Sequence, residues 1–87
     1  MIPYDTKKIT ELQLKAARAL LAWSGQDLSD ASGVGVATIR RLETGHLAAA
    51  NNTTLQALVR ALEAAGIQFT GNPEVNPGVV LHLKPTE

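Results

Sequence analysis

SGQDLSDASGVGVATIRRLETG, residues 24–45, is the stretch on which the fold turns. Ser24 is a helix N-cap by type, because its hydroxyl can accept one of the free N–H groups of a first helical turn. A short helix over residues 25–31 follows, and Gly33 closes it in the left-handed conformation that glycine adopts at low cost. A further helix starts at Val36, runs to about Glu43 and stops at Gly45. Leu28, Ala31, Val34, Ile39 and Leu42 are spaced to clamp the two helices together. That clamp turns Val36, Ala37, Arg40, Arg41 and Thr44 outward on one face, at i, i+1, i+4, i+5 and i+8. A helix presented in this way fits the major groove of B-DNA.

Working outward, a first helix begins near Thr10, where Gln13 completes a capping box, and runs to about Ala22. Leu14, Ala17, Arg18 and Leu21 share one face of it; Leu12, Ala16, Ala19, Leu20 and Trp23 mark a second apolar face. A helix that is apolar on two sides needs cover on two sides, so the C-terminal segment or a second subunit is expected over one of them. After a loop at residues 46–52, Asn52 or Thr53 caps a fourth helix that runs to about Ala65, with Leu55, Leu58, Val59 and Leu62 as its core stripe and Gly66 at its end. Residues 67–70 alternate apolar and polar, 71–78 read as a loop, and 79–83 are again β-rich. The tail is therefore expected to be a β-hairpin that packs on the helices or pairs with the same hairpin of another chain, since an isolated hairpin is marginal.

The residues of the central stretch resemble the lambda-repressor-like (Xre-type) helix-turn-helix proteins, whose pattern is roughly S-Q-x-x-L-A-x-x-x-G-V-S-x-x-T-I-x-x-L-E-x-G. Ser24, Leu28, Gly33, Val34, Thr38, Ile39, Leu42, Glu43 and Gly45 match it. The first helix (KAARALLAWS) and the fourth (TLQALVRALEAAGIQF) extend the resemblance over residues 12–69. It implies a mainly α fold: a four-helix lambda-repressor-like domain, here with a C-terminal β-hairpin. It also implies double-stranded DNA as partner and a structural ion pair between Arg18 and Glu43. The chain departs from the pattern at three places. Gly25 stands where the family has glutamine, with Gln26 one place later. Gly35 replaces the serine or threonine cap of the recognition helix, and Val36 replaces a residue that is often polar.

On this reading the chain divides into an N-terminal arm at 1–9 carrying Lys7 and Lys8, a helix-turn-helix domain at 10–66, and a hairpin at 67–87 that serves dimerisation. The DNA-binding set is Gln26, Val36, Ala37, Thr38, Arg40, Arg41, Thr44 and His46. Arg41 is the candidate for guanine, Arg40 for a phosphate or base, and Thr38 and His46 for phosphates. Val36 and Ala37 are placed against thymine methyls. The start of the fourth helix, Asn51 to Thr54, has free N–H groups suited to a phosphate as well as to simple capping.

Composition bounds these expectations. A domain of 87 residues buries a modest core, and with no cysteine neither a disulfide nor a thiolate metal site strengthens it. Eight Lys and Arg balance eight Asp and Glu, so net charge is zero. DNA binding through phosphates then requires the charges to be separated in space, or the affinity to be modest. His46 and His82 lie far apart with no metal-ligand spacing around them, and no nucleophile elbow, phosphate loop or paired carboxylate motif points to catalysis or a cofactor. No run of apolar residues is long enough to span a membrane, and residues 1–10 lack the apolar core of a signal peptide, so a cytoplasmic protein is expected. Together these features predict a homodimeric transcriptional regulator of the repressor kind. The rival is a protein-binding helix-turn-helix module, such as an antitoxin or partner-docking regulator, which zero net charge and an apolar helix tip favour.

Overall fold

The structure, a computed structural model, describes residues 9–83; Lys7 and Lys8 lie outside the described residues. The element order is α1 (Glu11–Leu20), α2 (Gly25–Ser32), α3 (Val36–Arg41), α4 (Asn52–Ala64), β1 (Ile67–Thr70) and β2 (Gly78–Leu81). One turn of π-helix (Leu42–His46) and one of 3-10 helix (Leu47–Ala49) bridge α3 and α4. Packing already includes Ile9, a buried core residue inside the stretch read as an arm.

Each helix start follows from its cap. Thr10 and Gln13 form the expected capping box at α1. Ser24 forms another with Asp27 at α2: Ser24 Oγ accepts from Asp27 N and Asp27 Oδ2 accepts from Ser24 N. At α4 the cap is Asn51, one residue earlier than expected, with Thr54 N donating to Asn51 Oδ1 at 2.8 Å. The ends follow from backbone sterics. Gly33, at φ 79°, terminates α2, and Val34 N then donates to Ser32 Oγ. α1 stops at Leu20 rather than Ala22, because Ala22 itself takes a positive φ of 55°.

The core joins Leu14 and Ala17 of α1, Leu28 of α2, Ile39 of α3 and the whole predicted stripe of α4 (Leu55, Leu58, Val59, Leu62). Leu42 and Leu47 close it from the bridging turns, and Ile67 and Phe69 from β1. Within the predicted clamp, Leu28, Ile39 and Leu42 are buried and Val34 packs against them; Ala31 is exposed and takes no part, because it lies on the solvent side of α2. β1 and β2 pair antiparallel in the register Ile67↔Leu81 and Phe69↔Val79, so one face of the hairpin sits on the helices with all four of these side chains. Gln13 locks it there. Its Oε1 accepts from Thr10 N, and its Nε2 donates to the carbonyls of Gly78 (2.9 Å) and Thr70 (3.4 Å). The second apolar face of α1 is covered only in part: Trp23 packs on the core, whereas Leu12 and Leu20 remain 69% and 45% exposed.

Candidate nucleic-acid interface

The clamp fixes which side of α3 faces out. Ile39 is fully buried, and the helix period therefore leaves Ala37, Thr38, Arg40 and Arg41 exposed. Val36 is half-buried, leaning on the first turn of α2: its Cγ2 lies 3.4 Å from where a Cβ on Gly25 would stand. Gly35 caps α3 without any side-chain hydrogen bond. The outward side thus carries an apolar tip and, one turn on, two arginines with no ion pair among the described residues.

A second set of contacts fixes the far end of α3. Arg18 Nε donates to Glu43 Oε2 and Arg18 Nη2 to Glu43 Oε1, both at 2.8 Å, while Arg18 Nη1 donates to the Trp23 carbonyl at 3.0 Å. Glu43 is only 7% exposed. One guanidinium therefore holds three points: α1, the chain leaving α1, and the turn that ends α3. The hydrogen bond to Glu43 raises the Arg18 pKa above its ordinary value, against a smaller opposing effect of burial.

The α-helix gives way after Arg41 to one π turn, and the backbone itself stays helical at Leu42 and departs only at Thr44 (φ −108°) and Gly45 (φ 110°). This corrects the expected extent of the reading face. Thr44 is exposed but no longer helical, and its hydroxyl is engaged on the carbonyls of Arg40 (3.0 Å) and Arg41 (3.1 Å). The His46 ring does the same through Nδ1, 3.3 Å from the Arg41 carbonyl. Both side chains cap α3 as placed. Gln26 is exposed on the first turn of α2, where its Nε2 donates to Asp30 Oδ1 at 2.9 Å.

Between α3 and the start of α4 lies a cleft of about 160 Å³, lined among others by Thr38, Arg41, His46, Asn51 and Thr54. It brings together predicted residues from the recognition helix, the following loop and the α4 terminus. Gln26 and Val36 are not among its lining residues. Two acidic side chains that went unremarked in sequence, Asp27 and Asp30, are exposed on α2. Their signal was available: α2 contains two carboxylates and no cation. Among the described residues no three His, Cys, Asp or Glu side chains group to hold a metal ion, and no helix is long and apolar enough to cross a membrane.

Comparison with known proteins gives one result on this geometry. A family model described as helix-turn-helix matches residues 14–65, well over half of the chain and spanning α1 to α4. No curated protein matches the chain.

Proposed function

The chain belongs to the lambda-repressor-like (Xre-type) helix-turn-helix family, a family of DNA-binding regulators, and from that premise we propose that it is a sequence-specific transcriptional repressor acting as a cytoplasmic homodimer. The observation that carries this reading is the pair Arg40 and Arg41. They stand exposed, and in no ion pair among the described residues, on the side of α3 that the core does not use. Arg41 is assigned to a guanine edge, where a bidentate guanidinium contact is the commonest specific one, and Arg40 to a neighbouring phosphate or base. Thr38, His46 and the start of α4, around the cleft beside Arg41, are assigned to the backbone. Because net charge is zero, binding is expected to depend on this local cluster rather than on an overall field.

One such module covers too little DNA for high specificity, which argues for two copies reading half-sites about 34 Å apart. The hairpin supports this. The His82 N–H donates to the Gly66 carbonyl, so the alternation of an antiparallel ladder points the backbone groups of Val79 and Leu81 away from β1. Among the described residues no further strand pairs with β2, and residues 78–83 contain no Lys, Arg, Asp, Glu or Pro, the residue types that ordinarily guard an edge. Val80, 42% exposed, stands on the outer face. A Val80→Lys chain that keeps its fold should sediment as a monomer, and an unchanged dimer would rule this contact out.

Selection of bound sequences from a random DNA pool tests the main reading, with affinity for the winner followed against salt. Binding that falls steeply with salt supports phosphate contacts. The second reading, a module that docks on another protein, draws on the apolar tip of α3 and on the exposed carboxylates Asp27 and Asp30 of α2. It predicts no enriched DNA sequence.

A further inference from the structure

We infer that the tip of α3 reads the C5-methyl group of thymine, with Val36 as the reading side chain and Ala37 beside it, so that the operator places thymine next to the base step taken by Arg41. This deepens the DNA-binding reading above and rests on it.

The first turn of α3 offers almost no side chain that hydrogen-bonds, only its backbone N–H groups. Its cap is Gly35 and its first two residues are Val36 and Ala37; the first polar side chain is Thr38, which lines the cleft with Arg41. In the major groove, every base pair presents donors and acceptors, and the one apolar feature is the thymine methyl. An apolar side chain pressed on a guanine, cytosine or adenine edge strips water from polar groups and returns no hydrogen bond. Pressed on a thymine methyl it loses nothing. The tip therefore selects by exclusion as much as by contact.

Val36 is also built to hold one position. A β-branched side chain in a helix has essentially one rotamer. The Val36 Cγ2 lies 3.4 Å from where a Cβ on Gly25 would stand, so the bare glycine at the start of α2 leaves the side chain its place there. It is half-buried against α2 yet belongs neither to the core nor to the partly buried side chains packed on it. Arg40 and Arg41, exposed one turn further along, supply the charge that complements the phosphates and draws this otherwise apolar tip into the groove.

The test uses the full chain and the best sequence from the random-pool selection. Each thymine of that site is replaced in turn by uracil, which removes one methyl and leaves every hydrogen-bonding group in place. Uracil at one or two positions in each half-site should weaken binding about fourfold, the factor that corresponds to burying one methyl-sized group. Val36→Ala should bind the thymine and uracil sites alike at those positions. Because Val36 lies outside the core, the variant is expected to keep its circular dichroism spectrum and melting curve. A uracil scan that is flat at every position overturns the inference while the regulator reading stands. So does a thymine preference that persists in Val36→Ala. Failure of the selection to enrich any sequence overturns both.

Discussion

On its inner side α3 buries Ile39 completely, and the turn that follows buries Leu42 and the carboxylate of Glu43 against Arg18. On its outer side Ala37, Thr38, Arg40 and Arg41 are exposed, and the two arginines pair with no acid among the described residues. Six residues of helix thus carry two jobs on opposite faces. The inner face has every polar group satisfied and every apolar one covered, as an interior requires. The outer face leaves its two guanidinium groups without an ion pair among the described residues, which costs nothing in water and leaves them available to a ligand. Changes to the inner face should therefore act on stability, and changes to the outer face on recognition. That separation can be tested at four places.

The largest effect on stability is expected at Ile39, which has no exposed surface. Ile39→Ala should cost about 4 kcal/mol, the usual range for truncating a buried isoleucine, and lower the melting midpoint by roughly 15–30 °C in a domain of this size. A small shift in calorimetry would mean that the clamp between α2 and α3 does not depend on this side chain.

Next comes Arg18. Its loss leaves Glu43, 7% exposed, as a buried charge without a partner and the Trp23 carbonyl without a donor. Arg18→Ala is expected to cost about 3 kcal/mol, toward the lower end for breaking a buried pair because Arg18 itself is partly solvated. Arg18→Lys should recover little, since an ammonium cannot make the paired contacts of the planar fork. The pH dependence has a definite sign. The folded-state pKa of Arg18 is raised, so its contribution is present below the unfolded value and fades only as pH rises through the folded one. Both lie far on the alkaline side, so the difference in melting midpoint between wild type and Arg18→Lys should stay flat, so far as Arg18 itself titrates, from neutral to mildly alkaline pH. A variant that melts like wild type would remove the ion pair from the account of the fold.

A smaller effect is expected at Gly33. It sits at φ 79°, yet a Cβ there would meet nothing within 4 Å. Gly33→Ala therefore probes backbone strain alone, about 1 kcal/mol in a melting curve. A much larger loss would indicate that the turn also sets how α3 is presented.

The inner face was far more legible in the sequence than the outer. Apolar spacing gives Leu28, Ile39, Leu42 and the α4 stripe directly, because burial imposes the helix period on residue type. Ser24, Thr10 and Gly33 are equally readable, since caps and left-handed turns admit few residues. Legibility fails where several residues compete for one role or where tertiary contact decides. Asn51, Asn52 and Thr53 are all cap types in a row, and only the hydrogen bond from Thr54 N to Asn51 separates them. Gln13 shows in sequence as a capping residue, while its bond to Gly78 crosses the chain and has no local signal. The helical backbone leaves at Thr44, next to the expected end at Glu43, but the change from α to π hydrogen bonding after Arg41 has no signal in residue type. Past that point Thr44 and His46 hydrogen-bond to the Arg40 and Arg41 carbonyls, and the α-helical part of the proposed reading face contracts to residues 36–41, with His46 beside Arg41 in the cleft.

That contraction concentrates specificity on Arg41, where stability and recognition should separate most fully. Arg41 is exposed and, among the described residues, in no ion pair, so Arg41→Ala should change stability by no more than about 0.5 kcal/mol. Losing a bidentate base contact should nevertheless cost about 1–3 kcal/mol in affinity for the selected site and relax the preference at one base pair. Arg40→Ala offers a comparison one residue away. If Arg40 takes a phosphate, its loss weakens all sequences by a similar factor and reduces the salt slope by about one. A competition gel shift with the selected site against single-base variants separates the two. Should Arg41→Ala lower affinity for every competitor equally, Arg41 is a backbone contact, and base selection must then come from the apolar tip or from the shape of the DNA.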